Sequence, residues 1–156
     1  MKNLILALIL SYATASVAAD NFAHVYKTQG EFDSVRDALV SAVEGRGLKI
    51  NHINHIGDML ARTGKDLGAG KEVYINAEQL EFCSATLSRS MMEADPGNIV
   101  ICPYSIAVYN LTAQPKTIYI TYRKLPDVKS AKSQAVFRQV DKLLSDIIAE
   151  GIDLSK

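Results

Sequence analysis

The sequence predicts an α+β fold: a single small domain with one mainly antiparallel sheet, helices packed on one face, and a C-terminal helix. Three observations carry this expectation. Extended and helical periodicities mix along the chain, the last two extended segments are joined only by a turn, and the chain ends in an amphipathic stretch. No internal repeat or low-complexity segment interrupts the pattern.

The elements follow in order. Phe22 to Thr28 places aromatic and β-branched residues at alternate positions, the pattern of a first strand. Phe32, Val35, Leu39, Val40 and Val43 then recur at helical spacing, with Glu31 or Asp33 near the start and Gly45 and Gly47 at the end. Leu48 to Ile53 alternates as a second strand. Gly57-Asp58-Met59-Leu60 opens a short helix that Gly64 or Gly68 ends, before a flexible connection over Leu67 to Lys71. Val73 to Ile75 and Leu80 to Cys83 read as two extended pieces. Ser84 is placed to cap a helix running to Ala94, closed by Asp95-Pro96-Gly97-Asn98. Ile99 to Cys102 is an apolar run that reads as strand, broken at Pro103 and resumed at Ile106 to Tyr109. Gln114-Pro115-Lys116 makes the next turn, and Thr117 to Arg123 pairs back as a hairpin. Val136, Val140, Leu143, Leu144, Ile147 and Ile148 build the last helix, stopped at Gly151.

Residues 1–19 have a separate character. Lys2 precedes an apolar run from Leu4 to Leu10, and Val17-Ala18-Ala19 offers small residues for cleavage after Ala19. This is the layout of a secretory signal peptide, and the run falls far short of the ~20 residues that span a bilayer. Asp20 and Asn21, with no cysteine, follow the cut, so a lipoprotein signal is not expected. The expected location is outside the cytoplasm, in the periplasm. The mature chain keeps 16 basic and 17 acidic residues once Lys2 is removed, a net charge of −1. Such a balance lacks the basic field that nucleic acid requires. No later segment is a candidate membrane span, and the open edges of a small sheet leave room for a homodimer.

Three stretches give the chain a family likeness: Phe82-Cys83-Ser84, Met91-Met92-Glu93-Ala94-Asp95-Pro96, and Cys102-Pro103-Tyr104-Ser105-Ile106-Ala107-Val108-Tyr109. Together with the opening helix they resemble the domain of unknown function 302 family. The likeness runs from about Phe22 to Lys124, so residues 20–127 are expected to form the family domain and 128–156 an added C-terminal amphipathic helix. It implies a curved, mainly antiparallel sheet, and it implies no activity and no set of catalytic residues. Cys83 and Cys102 depart from the glycine and aliphatic residue usual at those positions. They mark an exported two-cysteine subgroup.

Those two cysteines are the chief site candidates. Their spacing of 19 residues fits neither a C-x-x-C redox motif nor a zinc ribbon. In an oxidising compartment a disulfide is the ordinary outcome; two buried thiols, or ligation of copper or haem, are the other readings. Cys83 precedes a helix start, where aligned N–H groups favour a thiolate, and Cys102 is expected inside the neighbouring strand. Met92, more exposed than Met91, is a weaker ligand candidate because thioethers suit Cu(I). His55 is another, as a turn or cap residue beside Asp58 or as a partner for Cys83. His24 and His52 complete no zinc pattern, and Gly68-Ala69-Gly70-Lys71 lacks the spacing of a phosphate loop. Tyr104, Tyr109, Tyr119 and Tyr122 read as sheet packing. The functional expectation is a periplasmic binding or redox-accessory protein, not an enzyme, that holds a metal, haem or sulfur species near Cys83 and Cys102. A thiol–disulfide enzyme and a partner-binding module with an ordinary disulfide are the alternatives.

Overall fold

Alternation along five strands sorts the side chains into two sets, and a computed structural model, describing residues 22–69 and 71–156, shows where each set goes. The signal peptide expected over residues 1–19 lies outside the described residues. The strands are β1 (Ala23–Gln29), β2 (Lys49–His55), β3 (Tyr74–Cys83), β4 (Tyr104–Leu111) and β5 (Gln114–Arg123). They form one sheet in the order β1-β5-β4-β3-β2, every pair antiparallel. The helices are α1 (Phe32–Glu44), α2 (Ile56–Gly64), α3 (Ala85–Ala94) and α4 (Ala131–Leu154). The predicted α+β class holds.

One set of side chains makes the core. Leu80 and Phe82 of β3, Ile106 and Val108 of β4, and Ile118 and Ile120 of β5 are all fully buried. Above them lie Val35, Leu39 and Val43 of α1 and Phe137, Val140, Leu144, Ile147 and Ile148 of α4. The 128–156 segment is therefore part of the same core. β1 and β2 are the two edges of the sheet, so α1, which links them, must cross its full width. α4 lies against α1 and α3.

Five local expectations are corrected. β3 is one continuous strand where the sequence reads as two pieces. Its polar middle is held from outside: Arg36 donates to Glu78 at 3.1 Å, and the buried Asn110 accepts from the Asn76 backbone N–H at 2.9 Å. The hairpin turn falls at Thr112–Ala113, and Gln114 already belongs to β5. The apolar run before Pro103 is not strand. Asp95 caps a 3-10 turn over Pro96–Ile101, accepting from Gly97 N–H at 2.8 Å, and Ile99 and Val100 face solvent. Cys102 lies after that turn, and β4 starts only at Tyr104.

Gly151 does not stop α4, which continues to Leu154. The residue is buried against α1, where an added Cβ would stand 2.7 Å from Leu39 Cδ2 and 3.2 Å from Leu39 Cα. Its bare backbone is what lets the two helices approach. Gly151→Val is expected to overpack this contact and cost about 1–3 kcal/mol, read as a lower denaturation midpoint with an unchanged slope against denaturant. An unaltered midpoint would remove this role.

Candidate functional site

Three elements converge on the two cysteines. Cys83 is the last residue of β3 and Cys102 follows the 3-10 turn. Ser88, one turn into α3, reaches between the elements: its hydroxyl lies 3.2 Å from Cys102 Sγ and 3.4 Å from the Tyr104 hydroxyl. Each position has a local cause. The Ser84 side chain accepts from Leu87 N–H at 3.4 Å, which starts α3 immediately after Cys83. Asn98 donates to the Met91 carbonyl at 2.9 Å and to Ser133 Oγ at 3.0 Å, tying the 3-10 turn to α3 and α4. The Cys102–Pro103 peptide is cis.

Both cysteines are half-buried free thiols. Burial pushes the Cys83 thiol above its ordinary pKa, and the adjacent Cys102 thiol raises it further; the Tyr104 backbone acts weakly in the other direction. The expected helix-start stabilisation of a Cys83 thiolate is thus outweighed by desolvation. Tyr104, edge-on to Phe82 with ring centroids 5.9 Å apart, has its pKa raised to about 12, chiefly by burial. At neutral pH the Cys83 thiol is therefore protonated, and the hydroxyls of Ser88 and Tyr104 border the pair.

The weaker candidates lie elsewhere. His55 Nδ1 is 3.2 Å from Glu78 Oε1. Glu78 is five residues along β3 from Cys83, about 17 Å at the usual rise of a strand, so His55 cannot pair with that thiol. Met92 lines a shallow hollow with Arg89 and Glu93 on the outer side of α3, while Met91 is fully buried in the core. His52 stands opposite Glu81 on the edge strand. Among the described residues no group of three His, Cys, Asp or Glu side chains is arranged to hold a metal ion.

Two features escaped the sequence reading. His24, left without a partner there, has its Nε2 3.2 Å from Asp141 Oδ1, and Tyr122 donates to the same oxygen at 3.1 Å. Asp141 comes from α4, so the cluster fastens that helix to β1 and β5; only the pairing of distant elements creates it. Of the four tyrosines, Tyr104 and Tyr122 face the core. Tyr109 and Tyr119 stack at 5.1 Å on the opposite face of the sheet, with Lys27 Nζ 5.0 Å from the Tyr119 ring.

An open five-stranded antiparallel sheet with three helices over one face defines a class of small α+β proteins. The chain belongs to the family of the domain of unknown function DUF302, whose model matches residues 24–151. That span takes in most of α4, beyond the boundary near residue 127 drawn from the sequence motifs, in line with the core residues α4 supplies. The solved structure of an uncharacterized conserved protein DUF302 from Bacillus stearothermophilus has a similar fold, with a TM-score of 0.66 at 13% identity, covering 83% of this chain and 98% of that one. No curated protein matches the chain. Among the described residues, no helix is long and apolar enough to cross a membrane.

The raised Cys83 pKa has a kinetic consequence. The thiolate is the nucleophile, so at about pH 8 iodoacetamide should modify Cys83 in the reduced Cys102→Ser protein more slowly than a free cysteine thiol of pKa about 8.5. The rate should climb only as the pH passes the free value. A Cys83 that reacts faster than the free thiol at that pH would contradict the burial argument.

Proposed function

We propose that this chain is an exported redox-accessory protein whose working group is the Cys83–Cys102 pair, a dithiol that closes to a disulfide outside the cytoplasm. The observation that carries the reading is the adjacency of the two thiols across β3 and the 3-10 turn. The signal-like residues 1–19 support it by pointing to an oxidising compartment. In the closing step two S–H bonds break and one S–S bond forms, while two electrons and two protons pass to a disulfide of a thiol oxidase. The raised Cys83 pKa favours this accessory role over that of a thiol–disulfide catalyst, which needs a thiolate at neutral pH.

A second reading is ligation of a soft monovalent cation. Two adjacent thiols, deprotonated on binding, offer the donors that suit Cu(I). Haem has less support, because His55 is remote and His24 is committed to Asp141.

The disulfide closes a loop of about 20 residues and should stabilise the fold by about 3 kcal/mol, near 10 °C in Tm for a domain of this size. Protein isolated from the periplasm under non-reducing conditions should therefore lose about that much on reduction, and Cys102→Ser should be insensitive to reductant. An intact mass showing both thiols free, with equal Tm in the two conditions, would sink the redox reading. One equivalent of Cu(I) bound by the reduced protein, and lost in both Cys83→Ser and Cys102→Ser, would then carry the second.

A further inference from the structure

The face of the sheet turned away from α1, α3 and α4 is built as a trough. Strand register places three rows across it. Val25, Thr121, Ala107 and Gln79 lie side by side on β1, β5, β4 and β3, so the middle of this row is a floor of small side chains. Lys27, Tyr119, Tyr109 and Ala77 form the next row, which rises as a wall because the two tyrosines stack and Tyr74 meets Tyr109 edge-on at 5.4 Å. On the other side the row ends in Arg123, beside Ala23 on β1, and in Glu81, opposite Ser105.

The start of α2 closes one flank. An added Cβ on Gly57 would stand 2.9 Å from Ala77 N, so the helix begins almost in contact with β3, and Ile56 joins Val25, Ala107 and Tyr109 around a groove of about 630 Å³. A second groove of about 620 Å³ carries on from the shared Gln79 to Ser105, Arg123 and Lys124. Both volumes fall in the range of small-molecule sites. From Tyr109 to Ser105 the floor runs about 14 Å along the strand.

The chemistry of the two ends differs. At the Tyr109 end the groove is lined mainly by apolar side chains, with Lys27 held over the Tyr119 ring outside it, and Val25 remains 54% exposed there. At the other end, among the described residues, neither Arg123 nor Lys124 makes a salt bridge, while Glu81 is engaged by Asn54 Nδ2 at 2.8 Å. Lys124 also borders a hollow with Asp127 and Asp141 on its other side, so Arg123 is the cation this end offers. We propose that this face binds an apolar organic anion, its body on Thr121 and Ala107 beside Tyr109, its carboxylate or sulfonate at Arg123. The site does not depend on the state of the cysteines.

The test is a fluorescence titration with 8-anilinonaphthalene-1-sulfonate, followed by displacement with dodecanoate and with dodecanol. Saturable binding to the folded protein is expected, displaced by dodecanoate much better than by the uncharged alcohol. Arg123→Gln should weaken binding about tenfold, since it removes a charge-assisted hydrogen bond. Ala107→Leu, which fills the floor, should abolish it, and Cys102→Ser should leave it intact. Thermal unfolding of each variant separates loss of the site from loss of the fold. No saturable binding, or equal binding by folded Ala107→Leu, would overturn the proposal. So would a sedimentation result showing this face buried against a second copy of the chain.

Discussion

Leu39 resting on the bare backbone of Gly151 fixes the separation of α1 and α4, and the helical layer is built around that separation. α1 cannot move to relieve a misfit, because it bridges β1 and β2 at opposite edges of the sheet. α4 is equally constrained, through Asp141 to His24 and Tyr122 near its middle and through Arg46 to Glu150 near its C-terminus. Interiors pack with few voids, so lifting either helix would uncover Phe137, Leu144 and Ile148 together. The absence of one side chain, at Gly151, thus sets the spacing of the two helices over the core.

The same contact explains where sequence reading works and where it stops. The class of fold, the extent of α1 and the cap of α3 at Ser84 are legible because each rests on local periodicity or a local hydrogen bond. Gly151 is not legible as a packing residue, since its reason lies in Leu39, more than a hundred positions away. β3 reads as two pieces because Asn76, Glu78 and Gln79 interrupt its apolar pattern, and their partners Asn110 and Arg36 come from other elements. Ile99 to Cys102 has strand composition, yet the Asp95 cap and Pro96 commit it to a 3-10 turn. Local backbone chemistry prevails there over side-chain propensity.

Of the site, the two cysteines could be picked out from the sequence and their environment could not. Composition and spacing single out Cys83 and Cys102 as a pair, but Ser88 enters only through the placement of α3, and the thiol's protonation only through burial. Met92 and His55 lie apart from the pair for a related reason. Met92 is on the outer side of α3, and His55 meets Glu78, five residues back along β3 from Cys83. The open face is least legible of all. Thr121, Ala107 and Val25 are unremarkable singly, and only the register of three strands makes them one surface.

The protonated state of Cys83 also constrains what a redox role could be. A strongly oxidising disulfide is one whose reduced form is stabilised, typically as a thiolate held by charge or helix dipole. Here desolvation and the second thiol act against the thiolate, so the reduced form receives no such help. On the redox reading, the pair therefore tends to keep its disulfide and not to pass it on. Opening it leaves the 3-10 turn in place, for both thiols are free in the structure and Asn98 still ties the turn to α3 and α4. The floor of the open face rests on the register of β1, β5, β4 and β3, so it is the same whichever form the pair takes.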